Sequence, residues 1–253
     1  MSPASATTSR DRERLDNERL RRELQQARAA LEDFTYSVSH DLRASLRHVN
    51  AYLQIIKEDF GDLASPDILA HLDTVSQSAG QMGQQIDALT ELSRLARVEL
   101  QLSSLDVGQL VRDVSTAVAP QPSERELAWE LASDFPPLRG DADLIRQVLT
   151  HLLSNAVKFT APRPAARITV GWQAHDSGLY AVTVSDNGVG FNPQYAAKLF
   201  NAFQRLHRVR EFAGLGMGLA LTRKIVERHG GAVWAEGVPD VGCSVSFTLP
   251  RAA

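Results

Sequence analysis

The feature that most constrains this chain is a stripe of apolar residues in its first sixty positions, most of them spaced by alternating steps of four and three. This spacing is typical of a coiled-coil seam, in which the apolar residues share one side of a helix and charged residues cover the rest. The stripe therefore predicts one long helix that needs a partner along its length. Its members are Leu20, Leu24, Ala27, Leu31, Phe34, Val38, Leu42, Leu46, Val49, Leu53, Ile56 and Phe60.

The alternation is interrupted between Phe34 and Leu46, where three successive steps are each four residues long. Such a stutter locally unwinds a left-handed supercoil. His40 lies within it, two residues from the seam on either side, which is about 200° around a helix. We expect His40 to point into solvent, and we hypothesise that the stutter gates its accessibility. His48 directly precedes a seam residue, and we interpret it as a structural or surface histidine.

A second helix follows the first after a short turn. Gly61 predicts the end of the first helix, and Ser65 and Pro66 suit the N-cap and the first position of the next. Another apolar stripe predicts that residues 66–100 fold back to make a helical hairpin. Because two helices leave apolar surface uncovered, we expect a homodimer in which two hairpins form a four-helix bundle. A bundle with the C-terminal half is disfavoured, since that half has a different pattern.

From about residue 104 the pattern alternates helices with strands and predicts an α+β two-layer sandwich, with a mixed or antiparallel sheet covered by helices on one face. Three domains follow: a disordered tip (1–9) with a coiled-coil helix in 1–30, the hairpin in 31–103 and the sandwich in 104–253. The expected helices are 108–119, 141–159 and about 216 to 230, and the expected strands are 127–131, 166–174, 179–186, 231–237 and 243–250.

Composition excludes several classes of protein. A net charge of -3 with both signs interspersed gives no basis for nucleic-acid binding. Cys243 is the only cysteine, so no internal disulfide forms, and a reducing cytoplasm is the expected location. No run of eighteen apolar residues predicts a membrane span, and the N-terminus lacks an export signal.

Two glycine clusters suggest ligand contacts. Asp186, Gly188 and Gly190 lie in a DNGVG segment at the end of a strand. The glycines allow a ligand close to the main chain, and the carboxylate accepts from an exocyclic amine such as that of adenine. A plain Asx turn is nearly as good an interpretation. The second cluster, in GLGMGLAL at residues 214–221, opens a helix whose amide groups suit phosphate oxygens, although flexible loops also contain many glycines.

Asn155 and Lys158 lie three residues apart on one face of the helix predicted over 141–159. An amide oxygen is a suitable ligand for Mg²⁺, and an ammonium group is a suitable partner for phosphate. A solvated polar face is the alternative interpretation.

Together these motifs resemble a known family. The Asn155 and Lys158 pair, the DNGVG turn, the phenylalanines of residues 199–203 and GLGMGLAL occur in the order and spacing of the ATP-binding domain of sensor histidine kinases. The hairpin resembles that family's dimerisation and phosphotransfer domain, and SHDLR at 39–43 resembles its phosphoacceptor motif. SHDLR and FQRLH are most similar to the phytochrome-like branch, and the resemblance covers roughly residues 30–250.

The resemblance implies an ATP-dependent kinase that phosphorylates His40, with Asp41 orienting or accepting the proton of the ring, and that passes the phosphoryl group to an aspartate of a response regulator. It implies ATP and Mg²⁺ as cofactors and a mobile lid over residues 191–215. It assigns Mg²⁺ to Asn155, adenine to Asp186 and phosphate to Lys158. The nucleotide-binding set is completed by Gly188, Gly190, Arg205, Gly214, Gly216 and Gly218. Arg205 would contact the γ-phosphate, and a solvent-facing arginine is an equal alternative.

Several positions depart from the family pattern. Ala44 stands where a threonine or asparagine positions water for dephosphorylation of the regulator, so phosphatase activity by that route is not expected. Ser45 replaces a common proline, and His151 stands where an asparagine is frequent. The milder departures are Leu215, Ala202 and Val245.

Two other classes of protein stay open: a degenerate kinase that acts as a scaffold, and another ATPase or a serine-directed kinase with the same nucleotide fold. The first thirty residues are too few for the core of a sensor domain. The signal would then come from an upstream sensor protein or from a missing part of a longer chain.

Overall fold

The computed structural model describes residues 3–61, 63–119, 126–207 and 211–252. It consists of two compact units, Met1–Ala96 and Arg97–Ala253. The first is a helical hairpin and the second is an α/β unit built on a mixed sheet. The predicted fold class, a long hairpin followed by an α+β domain, is confirmed.

The hairpin consists of α1 (Pro3–Phe60) and α2 (Pro66–Arg97). The sequence predicts a disordered tip through residue 9, but α1 already begins at Pro3, and the first two residues lie outside the described part of the chain. A proline in the first turn costs no intrahelical hydrogen bond, which accounts for this start. The Ser65 hydroxyl accepts from the backbone N–H of Ile68 at 3.4 Å, as expected for an N-cap.

Cross-helix contacts show that α1 and α2 run antiparallel. Lys57 Nζ lies 2.7 Å from Asp73 Oδ1, and Arg43 Nε lies 2.9 Å from Asp87 Oδ1. Leu46 packs with Ala79 and Ile86 in a small buried core. Much of the rest of the stripe is uncovered, and the exposed members include Leu20, Leu24, Leu31, Phe34, Leu42, Val49 and Phe60. One hairpin therefore does not bury its own seam.

The second unit contains both helices and strands. Its elements are β1 (Ser103–Leu105), α3 (Val107–Val118), β2 (Glu126–Leu131), β3 (Leu138–Gly140), α4 (Ala142–Phe159), β4 (Ala165–Ala174), β5 (Leu179–Asp186), α5 (Gly218–Arg228), β6 (Val233–Val238) and β7 (Gly242–Pro250). Five strands form the main sheet in the order β2-β4-β5-β7-β6, and β1 and β3 form a separate antiparallel pair. In the main sheet β2 and β4 are parallel, and all other neighbouring strands are antiparallel.

Helices cover one face of this sheet. Ala166, Ile168 and Val170 alternate with more exposed neighbours along β4, as in a strand with one buried face. On that face α4 contacts β4 and β5, while α5 contacts β6 and β7. The sequence predicts every strand of the main sheet but misses β1 and β3, because three residues are too few to show an alternating pattern.

His229 joins the start of α4 to the end of α5. Its Nε2 accepts from the backbone N–H of Asp141 at 3.0 Å, and its Nδ1 lies 2.8 Å from the carbonyl oxygen of Ile225. This pair of partners fixes the neutral tautomer with the proton on Nδ1. The Asp141 carboxylate caps α4 through the backbone N–H groups of Asp143 and Leu144. The helix that carries Asn155 and Lys158 is therefore anchored at its N-terminus.

The variant His229→Ala should lower the free energy of unfolding of this unit by about 2 kcal/mol, because it leaves the half-buried backbone N–H of Asp141 without its partner and removes the bond of the ring to the Ile225 carbonyl, which keeps only the backbone N–H of residue 229. All three tryptophans, Trp129, Trp172 and Trp234, lie in this unit, so urea unfolding followed by tryptophan fluorescence reports on it alone. The control His175→Ala, an exposed ring that stacks on Trp234, should cost less than about 1 kcal/mol. Equal losses would contradict the anchoring role.

Candidate functional site

The DNGVG segment leaves the sheet at the end of β5, with Asp186 opposite Ile168 on one side and Cys243 on the other. Asp186 Oδ1 accepts from the backbone N–H of Gly188 at 2.8 Å, so the Asx turn is present. Burial raises the pKa of Asp186 to about 6, although the backbone N–H groups of Gly188 and Cys243 act in the opposite direction. A hydrogen-bond donor of a ligand would therefore meet a carboxylate whose charge is poorly solvated.

Only glycine fits at two positions of this turn. A Cβ on Gly188 would lie 2.6 Å from the carbonyl oxygen of Phe159 at the end of α4. Gly190 has a φ of +62°, and a Cβ there would lie 1.9 Å from the carbonyl oxygen of Val238 at the end of β6. The main chain of the turn is thus held between α4 and the β6–β7 hairpin.

Two side chains that sequence reasoning did not assign hold the turn in place. Asn187 extends the sheet by one step, since its Oδ1 accepts from the N–H of Arg167 at 2.8 Å and its Nδ2 donates to the carbonyl of Ala165 at 2.9 Å. Arg163 donates to the carbonyl oxygens of Asn187 and Gly188, each at 3.0 Å. No local pattern reveals these contacts, because the partners lie twenty or more residues apart.

Lys158 and Arg205 reach one short stretch of backbone at residues 212–214. Lys158 Nζ donates to the carbonyl of Ala213 at 3.3 Å, and Arg205 donates to the carbonyls of Phe212 and Gly214. Burial, and secondarily the Arg205 guanidinium, lowers the pKa of Lys158. Asn155 is half-buried one turn before Lys158 on α4. The structure therefore brings two cations from distant parts of the sequence to the same loop.

The glycines of residues 214–218 lead into α5, and neighbouring groups leave little space for a side chain at Gly216 and Gly218. Gly216 has a φ of +74°, and a Cβ there would lie 2.5 Å from the carbonyl oxygen of Gln204. Gly218 is the first residue of α5, and the N-cap, Met217, makes no side-chain capping bond. The ring of His151 lies against this helix start, 3.2 Å from the position of a Gly218 Cβ. The amide groups of the first turn are thus suited to an anion.

The segment predicted as a lid is firmly packed at its beginning. Phe191 and Phe200 are buried in a cluster with Ala235. Farther along, the rings of Phe159, His207 and Phe212 meet at centroid distances of 5.0–5.4 Å. Residues 208–210 of the predicted lid lie outside the described part of the chain.

In the helical unit, the side chain of His40 is 63% exposed and its Nδ1 lies 3.3 Å from Asp41 Oδ1. The outward orientation expected from the seam is confirmed. His48 is also exposed, but it is followed by Val49 rather than by an acidic residue. Ser45 donates through its hydroxyl to the carbonyl of Asp41 at 3.1 Å, and α1 continues through this position without interruption.

Two family descriptions match the two units. Residues 30–97 match the "His Kinase A (phospho-acceptor) domain", and residues 140–253 match the "Histidine kinase-, DNA gyrase B-, and HSP90-like ATPase". These domains define a protein with a phosphoacceptor hairpin and a nucleotide-binding sandwich. The chain belongs to the histidine kinases of two-component systems.

Known relatives agree with this assignment. The methanogenesis regulatory histidine kinase FilI of Methanothrix harundinacea is 32% identical over 95% of this chain and 28% of its own length. The phytochrome-like protein Cph1 of Synechocystis is 31% identical over 91% of this chain and 30% of its own length. This chain thus spans less than a third of these relatives.

Among solved structures, full-length ShkA in complex with AMPPNP is similar, with a TM-score of 0.62, 26% identity and coverage of 87% of this chain and 46% of ShkA. The Acinetobacter baumannii histidine kinase AdeS shares the fold, with a TM-score of 0.58, 20% identity and coverage of 83% of this chain and 98% of AdeS. Within the part of the chain that is described, no helix is long and apolar enough to cross a membrane.

The variant Asp186→Asn should stabilise this unit in a pH-dependent way. Because the pKa of Asp186 is raised from 3.8 to about 6, its ionised form destabilises the folded state fully above pH ~6 and not at all below pH ~4. The free energy of unfolding of the variant should exceed that of the wild type by on the order of 1–3 kcal/mol near pH 7.5. Urea unfolding at several pH values measures the difference, and a gain that does not shrink toward acidic pH contradicts burial of the carboxylate as its cause.

Proposed function

We propose that this protein is an ATP-dependent kinase that phosphorylates its own His40 and passes the phosphoryl group to an aspartate of a response regulator. The observation that carries the proposal is the exposed imidazole of His40 with Nδ1 3.3 Å from Asp41, within a domain of the phosphoacceptor family. The second unit belongs to an ATPase family, which supports ATP as the phosphoryl donor. ShkA, whose structure contains AMPPNP, supports the same donor.

His40 acts as the nucleophile. Its Nε2 forms a bond to the γ-phosphorus while the bond from that phosphorus to the bridging oxygen of ADP breaks. Asp41 holds the proton on Nδ1, which keeps the Nε2 lone pair available for attack, and it accepts or stabilises that proton as positive charge develops on the ring. His40 is exposed, so a nucleotide held by an ATP-binding unit has access to it.

The second unit binds the two ends of the nucleotide through groups of opposite charge. Asp186 accepts from the adenine amino group, and Gly188 and Gly190 contribute to the nucleotide site by letting the turn that carries this carboxylate pack against α4 and the β6–β7 hairpin, rather than by opening the main chain to the base as the sequence suggested. Lys158 and Arg205, which donate to carbonyls of residues 212–214 in the structure, exchange these partners for phosphate oxygens. The backbone of Gly214, Gly216 and Gly218 accommodates the triphosphate at the N-terminus of α5.

The side chains near Lys158 include suitable ligands for Mg²⁺. The half-buried Asn155 offers an amide oxygen, and Mg²⁺ bound to nucleotides takes few protein ligands and completes its shell with phosphate oxygens and water. His151 supplies nitrogen where the family pattern has an amide oxygen. When bound, Mg²⁺ would neutralise phosphate charge. Among the described residues, no cluster of three or more His, Cys, Asp or Glu side chains offers another metal site.

The active form is a homodimer in the cytoplasm, where ATP is available. A second hairpin would cover the exposed seam residues, such as Phe34 at 66% exposure and Leu31 at 65%. The partners are the receiver domain of a response regulator and an upstream sensor. Ala44 has no group to position water, so we expect little phosphatase activity toward the regulator by that route.

The variant His40→Gln should abolish labelling of the chain by γ-labelled ATP, because glutamine has no nucleophilic ring nitrogen. Wild-type label should be acid-labile and alkali-stable. The matched control is His48→Gln, an exposed histidine on the same helix, which should be labelled like the wild type. Label that persists in His40→Gln would refute the assignment of the acceptor, and a wild-type dimer that never becomes labelled would favour a scaffold.

The variant Asn155→Asp should weaken Mg-ATP binding by about tenfold or more, or ~1.4 kcal/mol, because a carboxylate adds negative charge beside the phosphates. Titration with a fluorescent nucleotide in the presence of Mg²⁺ measures the dissociation constant. The control Ser154→Ala changes the exposed neighbouring residue of α4 and should leave the constant unchanged. The role of Asn155 is wrong if its variant and the control bind alike.

A further inference from the structure

One guanidinium joins the DNGVG turn to two other segments. Arg163 follows α4, and its Nε donates to the carbonyl of Asn187 while its Nη2 donates to the carbonyl of Gly188, both at 3.0 Å. The same Nη2 also donates to the carbonyl of Asp240 in the turn between β6 and β7. Asp240 in turn donates from its backbone N–H to the carbonyl of Val189 at 2.8 Å. The turn is thus held from both sides.

The local sequence prepares Arg163 for this role. It lies between Pro162 and Pro164, whose rings fix the backbone φ angle on either side. Its own N–H donates to the carbonyl of Thr160 at 2.9 Å, which ties the segment to the end of α4. The planar guanidinium directs several N–H groups toward separate carbonyls, and a lysine ammonium cannot reproduce this fork.

These contacts determine where the carboxylate of Asp186 lies. Its Oδ1 is bonded to the N–H of Gly188, and Arg163 holds the carbonyls of the two residues that follow Asp186. We infer that Arg163 is a positioning residue for adenine recognition: it sets the place of the Asp186 carboxylate by fixing the peptide groups next to it. This inference rests on the proposed function, in which that carboxylate binds the adenine amino group.

The role predicts a specific kinetic signature. The side-chain hydrogen bonds described for Arg163 go to the adenine end of the site, whereas Lys158 and Arg205 contact residues 212–214. Loss of Arg163 should therefore weaken nucleotide binding but leave the transfer step intact once the site is saturated. A purely structural role would instead reduce the fraction of folded protein, which lowers the maximal rate and leaves KM unchanged.

The test measures the initial rate of His40 labelling against ATP concentration in the full chain. Arg163→Met, which keeps the apolar stem, should raise the KM for ATP by about fivefold or more while the maximal rate stays within about twofold of the wild type. Arg163→Lys should raise KM by a smaller factor, because one ammonium replaces only part of the fork. The matched control is Arg167→Met, since the Arg167 side chain is 65% exposed and pairs with Glu130 instead.

The possible results are distinct. A raised KM for Arg163→Met with a normal KM for Arg167→Met supports the inference. An unchanged KM, or a fall in maximal rate alone, overturns it, even though the wild type is labelled normally. A wild-type chain without label on His40 overturns the proposed function itself. If Arg163→Met does not fold, as judged by circular dichroism, the KM of Arg163→Lys decides by the same criterion.

Discussion

The ATP-binding unit depends on holding a carboxylate where burial opposes its charge. Burial raises the pKa of Asp186 to about 6, so the protein loses stability by keeping it ionised near neutral pH. Backbone N–H groups of Gly188 and Cys243 limit this cost. The turn is also closely packed, since even a Cβ at Gly188 or Gly190 would collide with main-chain oxygens. A rigid and poorly solvated acceptor discriminates well between ligands, because a ligand without a matching donor leaves it unpaired.

At Lys158, burial opposes a positive charge, just as it opposes the negative charge of Asp186. Lys158 is partly buried beside Arg205, and its lowered pKa shows that burial and a neighbouring cation both oppose its charge. In the structure, backbone carbonyls of residues 212–214 partly satisfy both cations. A carbonyl carries only a partial charge, so phosphate oxygens are stronger partners. The unit therefore presents one poorly solvated acceptor at Asp186 and two cations at Lys158 and Arg205, which are the charges that the proposed nucleotide site requires.

Sequence reasoning succeeded where the relevant spacing is local. It located α4, α5 and the strands of the main sheet, because apolar periodicity and turn residues act over a few positions. It missed Arg163, the bridging role of Asn187 and the anchor at His229, because each of these side chains bonds to a segment 20 or more residues away in the sequence. Only the second bond of His229, to the carbonyl of Ile225, is local. Arginine, asparagine and histidine are ordinary surface residues by composition, and only the folded chain shows which carbonyl or amide each one meets.

In the helical unit, α2 covers only part of the apolar stripe of α1. Of the seam residues that the structure describes, Leu46 and Leu53 are buried, while Phe34 is 66% exposed. Twelve helical residues separate Phe34 from Leu46, which is a rotation of about 120°, whereas the seven residues from Leu46 to Leu53 return to nearly the same side. The stutter thus turns the apolar stripe around the helix, so the sections of the stripe before and after it face different directions. His40 lies within this rotation, which gives a physical reason why a change at the seam of a dimer would alter the direction in which the imidazole is presented.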